Sequence, residues 1–384
     1  MKISKVFKFG SLVICFLVLF STYVIEEAYA ERFFKKHNTW YEKIPANPTL
    51  RANSANYVAD IITNAKRMYG NSSGWSVPIF HAAGDTPNTT VTIWNELPGQ
   101  KDYIEAQGWN VVPIPDGALP AMNTERCAGQ YTDGHMVVIS ADGLSSWDFL
   151  MASKCNGTWS ARTVRKQDLT GDGINSPYDY HGMLRMTSVP LLHGLITYDE
   201  VVNDGVIDHA LAFAYNAVKI AEHWQLYPSE HYSGGSSSRT WALLGGERIF
   251  LDASVDCTSL GLNSFGVMVC VALQQYGMIF VENTSLNNNY VFMEHLDDQP
   301  SKSWSGIYKS LSAIPLNKLR VIKPLKPPFN IPPPTYQCSD GKDNDGDGLK
   351  DYHNDPGCDS ATDNDEYNAP SDIAPDPPTG VTVQ

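Results

Sequence analysis

The sequence of 384 residues has little positive charge. It holds 28 lysine and arginine side chains against 42 aspartates and glutamates, for a formal net charge of −14. Nucleic acids and anionic membranes attract basic surfaces, because neutralised phosphates release their counterions. The charge deficit therefore excludes nucleic acid as a partner. The chain also lacks a nucleotide-binding glycine loop and a His-Glu-x-x-His zinc helix, so two well-marked enzyme classes are excluded.

Long apolar runs are missing as well, apart from Gly10–Ile25 near the start. Three lysines precede this run, and Ala28-Tyr29-Ala30 follows it with the small-x-small pattern of a cleavage site. Residues 1–30 are therefore predicted to be a secretory signal peptide; the run is short for an uncleaved membrane anchor, which is the alternative. We expect a secreted protein, extracellular or at the cell surface, without membrane insertion after cleavage. The mature chain would keep 25 basic and 40 acidic side chains, a net charge of −15.

Cysteine is scarce, with seven in the chain, and Cys15 would leave with the signal peptide. An even number in an exported protein favours disulfides over a metal site or a reactive thiol. Proximity in sequence suggests the pairs Cys127–Cys155, Cys257–Cys270 and Cys338–Cys358. Fifteen pairings of six cysteines exist, and only the last pair has strong local support.

Composition divides the mature chain into four parts. Residues 31–324 are mixed in composition and rich in aromatics, which predicts a main domain. Residues 325–337 form a proline-rich linker, because proline cannot donate to a ladder and favours extended geometry. An Asp-rich module covers residues 338–366, and residues 367–384 begin as a second proline-containing linker.

The main domain contains more strand signals than helix signals. Residues 135–140, 147–153 and 158–166 predict an antiparallel run, broken by Ala141-Asp-Gly143 and Asn156-Gly157 turns. Further strands are predicted at 206–215, 224–228, 248–253, 277–282 and 290–294. Helices are predicted at Ser54–Tyr69 and at Ser264–Tyr276, each beginning with serine and the second ending at a glycine. This pattern predicts a mainly β domain, a β-sandwich or jelly roll with two or three helices, and mixed α+β is the alternative.

The module between Cys338 and Cys358 has the spacing of a calcium loop. Carboxylates at relative positions 1, 3, 5 and 9, with a backbone carbonyl at position 7, direct oxygen ligands around a hard cation. These ligands are Asp343, Asp345, Asp347, Leu349 and Asp351, with Asp340 and Asp355 as additional candidates. Ten acidic residues between Cys338 and Glu366 repel one another unless cations neutralise them. We therefore expect Ca²⁺ as the cofactor, since magnesium prefers to keep its waters.

Three stretches resemble known proteins. The Asp-Asn-Asp-Gly-Asp-Gly run at 343–348 resembles the aspartate-rich calcium repeat of thrombospondin type 3, in the single-copy form of exported microbial proteins. Residues 378–383, Pro-Thr-Gly-Val-Thr-Val, resemble the first strand of a fibronectin type III domain. Segments 133–136, 190–200 and 208–211 resemble a group of large exported microbial proteins for which we can name no activity. The resemblances imply a calcium-stiffened spacer and supply no mechanism for the main domain.

A second loop, Asp168–Asp179, matches an EF-hand more poorly. Asp168, Thr170, Asp172 and Asp179 occupy positions 1, 3, 5 and 12. Position 12 is usually glutamate, and Pro177 would disturb the helix expected there. A plain Asx-Gly turn is the favoured interpretation.

Histidines, carboxylates and one arginine on or beside predicted strands are the catalytic candidates of the main domain. They are His135, Asp148, Arg185, His209 and His231. A single histidine is usually a structural residue, but several on neighbouring strands beside charged groups indicate a site.

An exported β domain of this kind is predicted to bind or cleave extracellular polysaccharide. A lyase would use Arg185 to neutralise a substrate carboxylate and His209, His231 or Tyr232 as the base. A glycoside hydrolase would use two acids, Asp148 with Asp199 or Glu200. The alternatives are a non-catalytic structural or adhesive surface protein and a pure carbohydrate-binding module. The expected partner is an extracellular glycan or a cell-surface component.

Overall fold

The structure is a computed structural model that describes most of the main domain and a few residues beyond it. The described residues are 33–35, 38–94, 99–122, 133–174, 184–216, 224–229, 240–284, 288–296, 299, 301–324, 329–330, 338, 342, 348–350 and 358. The predicted signal peptide and residues 359–384 lie outside them. No helix within these ranges is long and apolar enough to cross a membrane.

Three α-helices and four short helical turns are present in the described part. The α-helices are α1 (Ser54–Asn64), α2 (Gln100–Ala106) and α3 (Ser264–Gln275). The short turns are 3-10 helices at Thr39–Tyr41, Cys257–Leu260 and Leu316–Lys318 and a π-helix at Glu200–Asp204. Helix α3 begins where the Asn263 side chain accepts from the Gly266 N–H. It ends before Gly277, whose φ of 74° suits glycine; a Cβ there would lie 2.3 Å from the Ile249 carbonyl oxygen.

Seventeen strands form the sheets within the described residues. The first eight are β1 (Met68–Asn71), β2 (Ile79–His81), β3 (Thr89–Thr90), β4 (Thr92–Ile93), β5 (Val111–Val112), β6 (Met136–Ile139), β7 (Ser145–Leu150) and β8 (Ser153–Cys155). The others are β9 (Thr158–Ala161), β10 (Thr163–Asp168), β11 (Leu211–Tyr215), β12 (Trp224–Gln225), β13 (Arg248–Leu251), β14 (Met278–Asn283), β15 (Asn289–Phe292), β16 (Leu319–Val321) and β17 (Phe329–Asn330).

The largest sheet has six strands in the order β1-β15-β11-β14-β13-β16. It is mixed: β1 with β15 and β11 with β14 are parallel pairs, and the other neighbours are antiparallel. All five residues of β11 are buried, as expected of a central strand covered on both faces. A bulge between Phe213 and Ala214 shifts the register of β11 against β14.

The second sheet has four strands in the order β10-β7-β6-β2. Strands β6, β7 and β10 pair antiparallel in sequence order, and β2 adds a parallel edge strand. The antiparallel run predicted over residues 135–166 is therefore confirmed, with the difference that its third strand is divided into β9 and β10.

In the described part of the chain, three hydrophobic cores lie between or beside the two large sheets. One lies between the six-stranded sheet and helices α1 and α3. The second lies between the two large sheets, with Val137 and Ile139 on one side and Ala212 and Ile279 on the other. The third covers the outer face of the four-stranded sheet. The predicted mainly β fold is confirmed, and the two large sheets share one core as the layers of a sandwich do.

The sequence overestimated the lengths of several elements. The helix predicted to reach Tyr69 ends at Asn64, because Ala65 is extended (φ −148°) and Met68 already pairs with Asn289 in the sheet. The strand predicted at 206–215 begins at Leu211. Part of the predicted proline linker also departs from expectation: Phe329–Asn330 pairs antiparallel with Trp224–Gln225, so the linker contacts the main domain there.

Two of the predicted disulfides are present, Cys257–Cys270 and Cys338–Cys358, with Cα–Cα distances of 5.8 and 5.7 Å. Cys155 is also disulfide-bonded, while its predicted partner Cys127 lies outside the described residues. The Cys257–Cys270 bond ties the middle of α3 to the 3-10 turn that precedes the helix.

Candidate active site

An open cavity of about 470 Å³ lies over the middle strands of the six-stranded sheet. The described lining residues come from β1, β11, β14 and β15, from the loop after β1, and from the segment before β6. The lining residues whose side chains can take part in binding or catalysis are Trp75, Asp133, His135, Glu282 and Tyr290. The cavity therefore combines aromatic surface with four titratable groups, which is a common composition of ligand sites.

The floor of the cavity is set by the strand register. Ala214 in β11 pairs with Tyr290 on one side and with Glu282 on the other. Side chains of paired residues share a face of the sheet, so the small Ala214 leaves space between a phenol and a carboxyl. The bulge is what places Glu282 there: Phe213 pairs with Phe280, and the next residue of β11 pairs with Glu282 instead of Val281. Bulges are frequent beside functional sites because they re-aim one side chain.

Trp75 is the exposed aromatic of the site. Its side chain is 49% exposed, which is high for a residue type that usually packs inside. It follows Asn71 in a loop where the Asn71 side chain accepts a hydrogen bond from the Ser73 N–H at 3.3 Å. A tryptophan at the rim of an open cavity offers an apolar face and an N–H donor to a ligand.

His135 lines the cavity from the other side, and its residue is only 2% exposed. Its Nε2 lies 3.3 Å from the Leu184 carbonyl oxygen, whereas Nδ1 has no hydrogen-bond partner among the described residues. Burial lowers the pKa of His135 to about 4, against the opposing charge of Asp133 and with the help of Arg185. The imidazole is therefore neutral at physiological pH.

Glu282 is the acid of the cavity. Its Oε2 accepts from the Met186 N–H at 2.9 Å and its Oε1 accepts from the Asn283 N–H at 2.8 Å. Burial raises the pKa of Glu282 to about 7; the two N–H donors oppose this rise, and the neighbouring charge of Asp133 adds to it. A carboxyl that titrates near neutral pH beside a second carboxylate is the arrangement from which acid–base catalysis is built.

Arg185 lies behind the cavity wall and is 4% exposed. It donates to the carbonyl oxygens of Leu191 at 2.9 Å and His193 at 3.4 Å, and it lies 4.8 Å from the centre of the Phe292 ring. Burial lowers the pKa of Arg185 to about 10, so the group keeps its charge. Because Arg185 is buried and is not among the described residues that line the cavity, it does not occupy the substrate-facing position expected of a lyase.

Asp148 is fully buried in β7. Its Oδ2 accepts from the Leu191 N–H at 2.7 Å and its Oδ1 accepts from the Ser146 hydroxyl at 3.2 Å. Burial raises the pKa of Asp148 to about 6, while these hydrogen bonds and the charge of Arg185 oppose the rise. The structure therefore assigns Asp148 to holding the loop after Arg185, in place of the predicted role as a hydrolytic acid.

Backbone strain occurs in the same loop. Ser188 has a φ of 56°, in the region that side chains rarely adopt. Its residue is 1% exposed, and its Oγ has no partner within the described part of the chain. Strained residues of this kind concentrate near functional sites, where the surrounding structure enforces them.

His209 belongs to a different cluster. Its Nε2 pairs with the Glu200 carboxylate at 3.0 Å and its Nδ1 lies 2.9 Å from the Ala210 carbonyl. Burial opposes the charged ring, but the charge and hydrogen bond of Glu200 outweigh it and raise the pKa of His209. This pair lines a separate cavity of about 20 Å³, too small for a saccharide. The structure therefore does not bring His209 together with His135.

The remaining predicted acids are also engaged elsewhere. Asp199 accepts from Lys302 Nζ at 2.8 Å, and Glu200 accepts from the Thr197 N–H at 2.7 Å. His231 and Tyr232 lie outside the described residues. In the second loop, Asp168 accepts from the Thr170 N–H at 2.9 Å and Asp172 accepts from the Ile174 N–H at 3.0 Å. These contacts are the Asx turns favoured by the sequence.

Most of the predicted calcium ligands lie outside the described residues. Leu349 is described, and 41% of it is exposed; the six aspartates lie outside the described residues. Within the part that the structure describes, no group of three His, Cys, Asp or Glu side chains is arranged to hold a metal ion.

Sequence reasoning missed Trp75 and Glu282. Gly70-Asn-Ser-Ser-Gly74 carries the letters of a Gly-x-Ser-x-Gly motif and ends directly before Trp75. The motif follows β1 but leads into a bend instead of a helix, so it lacks the strand–turn–helix context of a nucleophile elbow. Glu282 gave no signal, because a bulge is not visible in a continuous apolar run such as Met278-Ile-Phe-Val281.

Comparisons with known proteins found no family model, no curated protein and no solved structure that matches this chain.

Proposed function

We propose that the main domain binds extracellular glycan chains in the cavity lined by Trp75 and Tyr290. The observation that carries this proposal is the exposed Trp75 at an open cavity of about 470 Å³. Sugar rings present apolar C–H faces and hydroxyl edges, so they suit an aromatic platform with carboxyls and an imidazole beside it.

The test is a glycan array followed by calorimetry on the full mature chain. Trp75→Ala should weaken binding of the best glycan by at least about tenfold, since a central aromatic anchor commonly contributes more than 1.4 kcal/mol. Leu144→Ala is the matched control, because Leu144 is 40% exposed and lies outside the cavity lining. Equal binding by both variants would reject the site.

Glycoside hydrolysis is the second candidate, and Glu282 is the observation that favours it. With a pKa of about 7, Glu282 can donate a proton to a leaving oxygen, while Asp133 supplies the second carboxyl that such enzymes need. Glu282→Gln should reduce the rate of reducing-end release about 100-fold or more. Unchanged release would leave a binding domain, as in the adhesive alternative.

We further propose that the module closed by Cys338–Cys358 binds Ca²⁺ and serves as a stiff spacer on the exported chain. The disulfide supports a closed loop, and the aspartate spacing supplies oxygen ligands. Calorimetric titration of the full chain should show calcium binding that Asp345→Asn with Asp347→Asn weakens and Asp85→Asn leaves intact. Identical titrations of both variants would reject the assignment.

A further inference from the structure

A single row of side chains crosses four neighbouring strands at the cavity. The strand register pairs Glu282 of β14 with Ala214 of β11, and it pairs Ala214 with Tyr290 of β15. Tyr290 in turn pairs with Tyr69 of β1, which stands at one end of the sheet. Paired residues project from the same face of a sheet. The row therefore runs from a carboxyl, across a small alanine, to two tyrosine rings.

This row extends beyond the cavity. Neighbouring strands lie about 4.8 Å apart, so the row from β14 to β1 spans three strand spacings, about 14 Å in all. Glu282, Ala214 and Tyr290 line the cavity, and Tyr69 continues the row one strand further toward the end of the sheet. A row of this length exceeds a single sugar ring and suits several linked rings.

Tyr69 and Tyr290 form a joint aromatic surface. Their ring centroids are 6.1 Å apart, and the ring planes are inclined by 30°. Both residues are half-buried, so part of each remains exposed. Asn288 Nδ2 donates to the Tyr290 hydroxyl at 3.2 Å, which restrains that ring. Two adjacent tyrosines of this kind offer apolar ring surface together with hydroxyl groups that can bind a polar ligand.

The strand that carries Tyr69 is held in place by a third tyrosine. The Gly70 N–H donates to the Tyr308 hydroxyl at 3.2 Å. Glycine permits this approach, because a Cβ at position 70 would collide with the Met293 side chain and lie 2.9 Å from the Tyr308 ring. The backbone beside Tyr69 is therefore fixed before a ligand arrives, and a preorganised surface loses less conformational entropy on binding.

From this row we infer that the Tyr69–Tyr290 pair is a second sugar subsite beside the cavity, and that the domain recognises oligosaccharide chains of several linked rings instead of single sugars. The inference rests on the proposed glycan-binding function and deepens it. A chain that fills the cavity beside Trp75 can continue along the row onto the two tyrosines. Each further ring in contact with an aromatic side chain buries apolar surface and adds affinity.

The test is a length series measured on the full mature chain. Calorimetry compares cello-, xylo-, manno- and malto-oligosaccharides from the monosaccharide to the hexasaccharide. In the series that binds, we expect the affinity to rise at least about tenfold between the disaccharide and the longest members, because only the longer chains reach the second aromatic surface. The affinity should then level off once the row is filled.

Variants assign the gain with length to the tyrosine pair. Tyr69→Ala should weaken binding of the long chains about tenfold and flatten the dependence on length. Tyr69→Phe, which keeps the ring, should retain most of that dependence. Tyr103→Ala is the matched control, because Tyr103 is also half-buried but packs against Trp109 and is not among the described cavity-lining residues. Thermal melts check that each variant folds, and the wild-type length series tests the inference without any variant.

The outcomes separate the two proposals. Equal affinity for short and long chains, or a length dependence that Tyr69→Ala leaves intact, overturns this inference and leaves glycan binding in the cavity in place. Failure of all four series also overturns it, and failure of the glycan array as well overturns the glycan-binding function too. A gain with length that is lost in Tyr69→Ala and kept in Tyr69→Phe supports both.

Discussion

Two histidine–glutamate clusters in the described part of the chain have opposite properties. His209 contacts Glu200 directly at 3.0 Å in a cavity of about 20 Å³. His135 and Glu282 line a cavity of about 470 Å³, and each makes its hydrogen bonds to backbone groups instead of to the other. The same residue types therefore build a closed ion pair in one place and an open, unpaired set in the other.

The difference explains the directions of the pKa shifts. Glu200 raises the pKa of His209 because the two charges attract at short range. His135 has no such contact, so burial lowers its pKa to about 4, and the pKa of Glu282 rises to about 7. Paired groups stabilise the fold, and unpaired groups remain available to a ligand.

The largest expected effect comes from removing one carboxylate from each cluster. Glu200→Ala should cost about 3 kcal/mol of the free energy of unfolding, because it leaves a buried histidine without its partner. Glu282→Ala should cost about 1 kcal/mol, since the cavity admits water to the freed N–H groups. Urea unfolding at pH 7 measures both, and equal losses would remove the distinction between the clusters.

Acidification tests the open cluster. The folded pKa of His135 lies below its ordinary value of 6.5, so its contribution to stability is present above pH 6.5 and is lost as the pH falls toward 4. A shift of this size corresponds to about 3 kcal/mol. The stability difference between the wild type and His135→Gln should therefore fall across this range. A difference that is independent of pH would contradict the buried, unpaired imidazole.

The closed cluster should respond to pH with the opposite sign. The folded pKa of His209 lies above its ordinary value, so its contribution is complete below pH 6.5 and is lost as the pH rises through the folded pKa. Thermal melts of the wild type and His209→Gln between pH 6 and 9 measure this loss. Melting temperatures that converge on acidification instead would show that the ion pair does not form.

The smallest expected effect on stability is at the cavity rim. Trp75→Ala should change the free energy of unfolding by less than about 0.5 kcal/mol, because the side chain is 49% exposed. The buried Trp304, whose Nε1 donates to the Glu294 carbonyl at 2.8 Å, provides the contrast. Trp304→Ala should cost about 3 kcal/mol. A large loss in Trp75→Ala would indicate a structural role and weaken the proposed site.

Local signals were sufficient for much of the fold. Glycine-containing turns at 141–143 and 156–157 separated the strands of the antiparallel run. The serine start and glycine end of Ser264–Gln275 located α3 within one residue. The parallel pairs were not predictable, because β1 and β15 are separated by more than 200 residues and no turn joins them.

The sequence predicted only some of the residues of the candidate site. His135 lines the cavity, whereas Asp148, Arg185 and His209 are not among its described lining residues. The same type of side chain can be a structural residue or a residue of a binding site. Which role it takes depends on whether another residue fills the space beside it, and that residue comes from a segment remote in sequence.

The sequence by itself determined the acidic charge, the cysteine pairs Cys257–Cys270 and Cys338–Cys358 and the mainly β character, and it predicts export and a calcium loop. These features depend on composition or on residues a few positions apart. Tertiary structure decided which ionisable groups remain open to a ligand. Glu282 reaches the cavity through a bulge between β11 and β14, and Ala214 leaves room beside it. The register between these distant strands determines the position of Glu282 and the space beside Ala214, because it sets the face of the sheet on which each side chain lies.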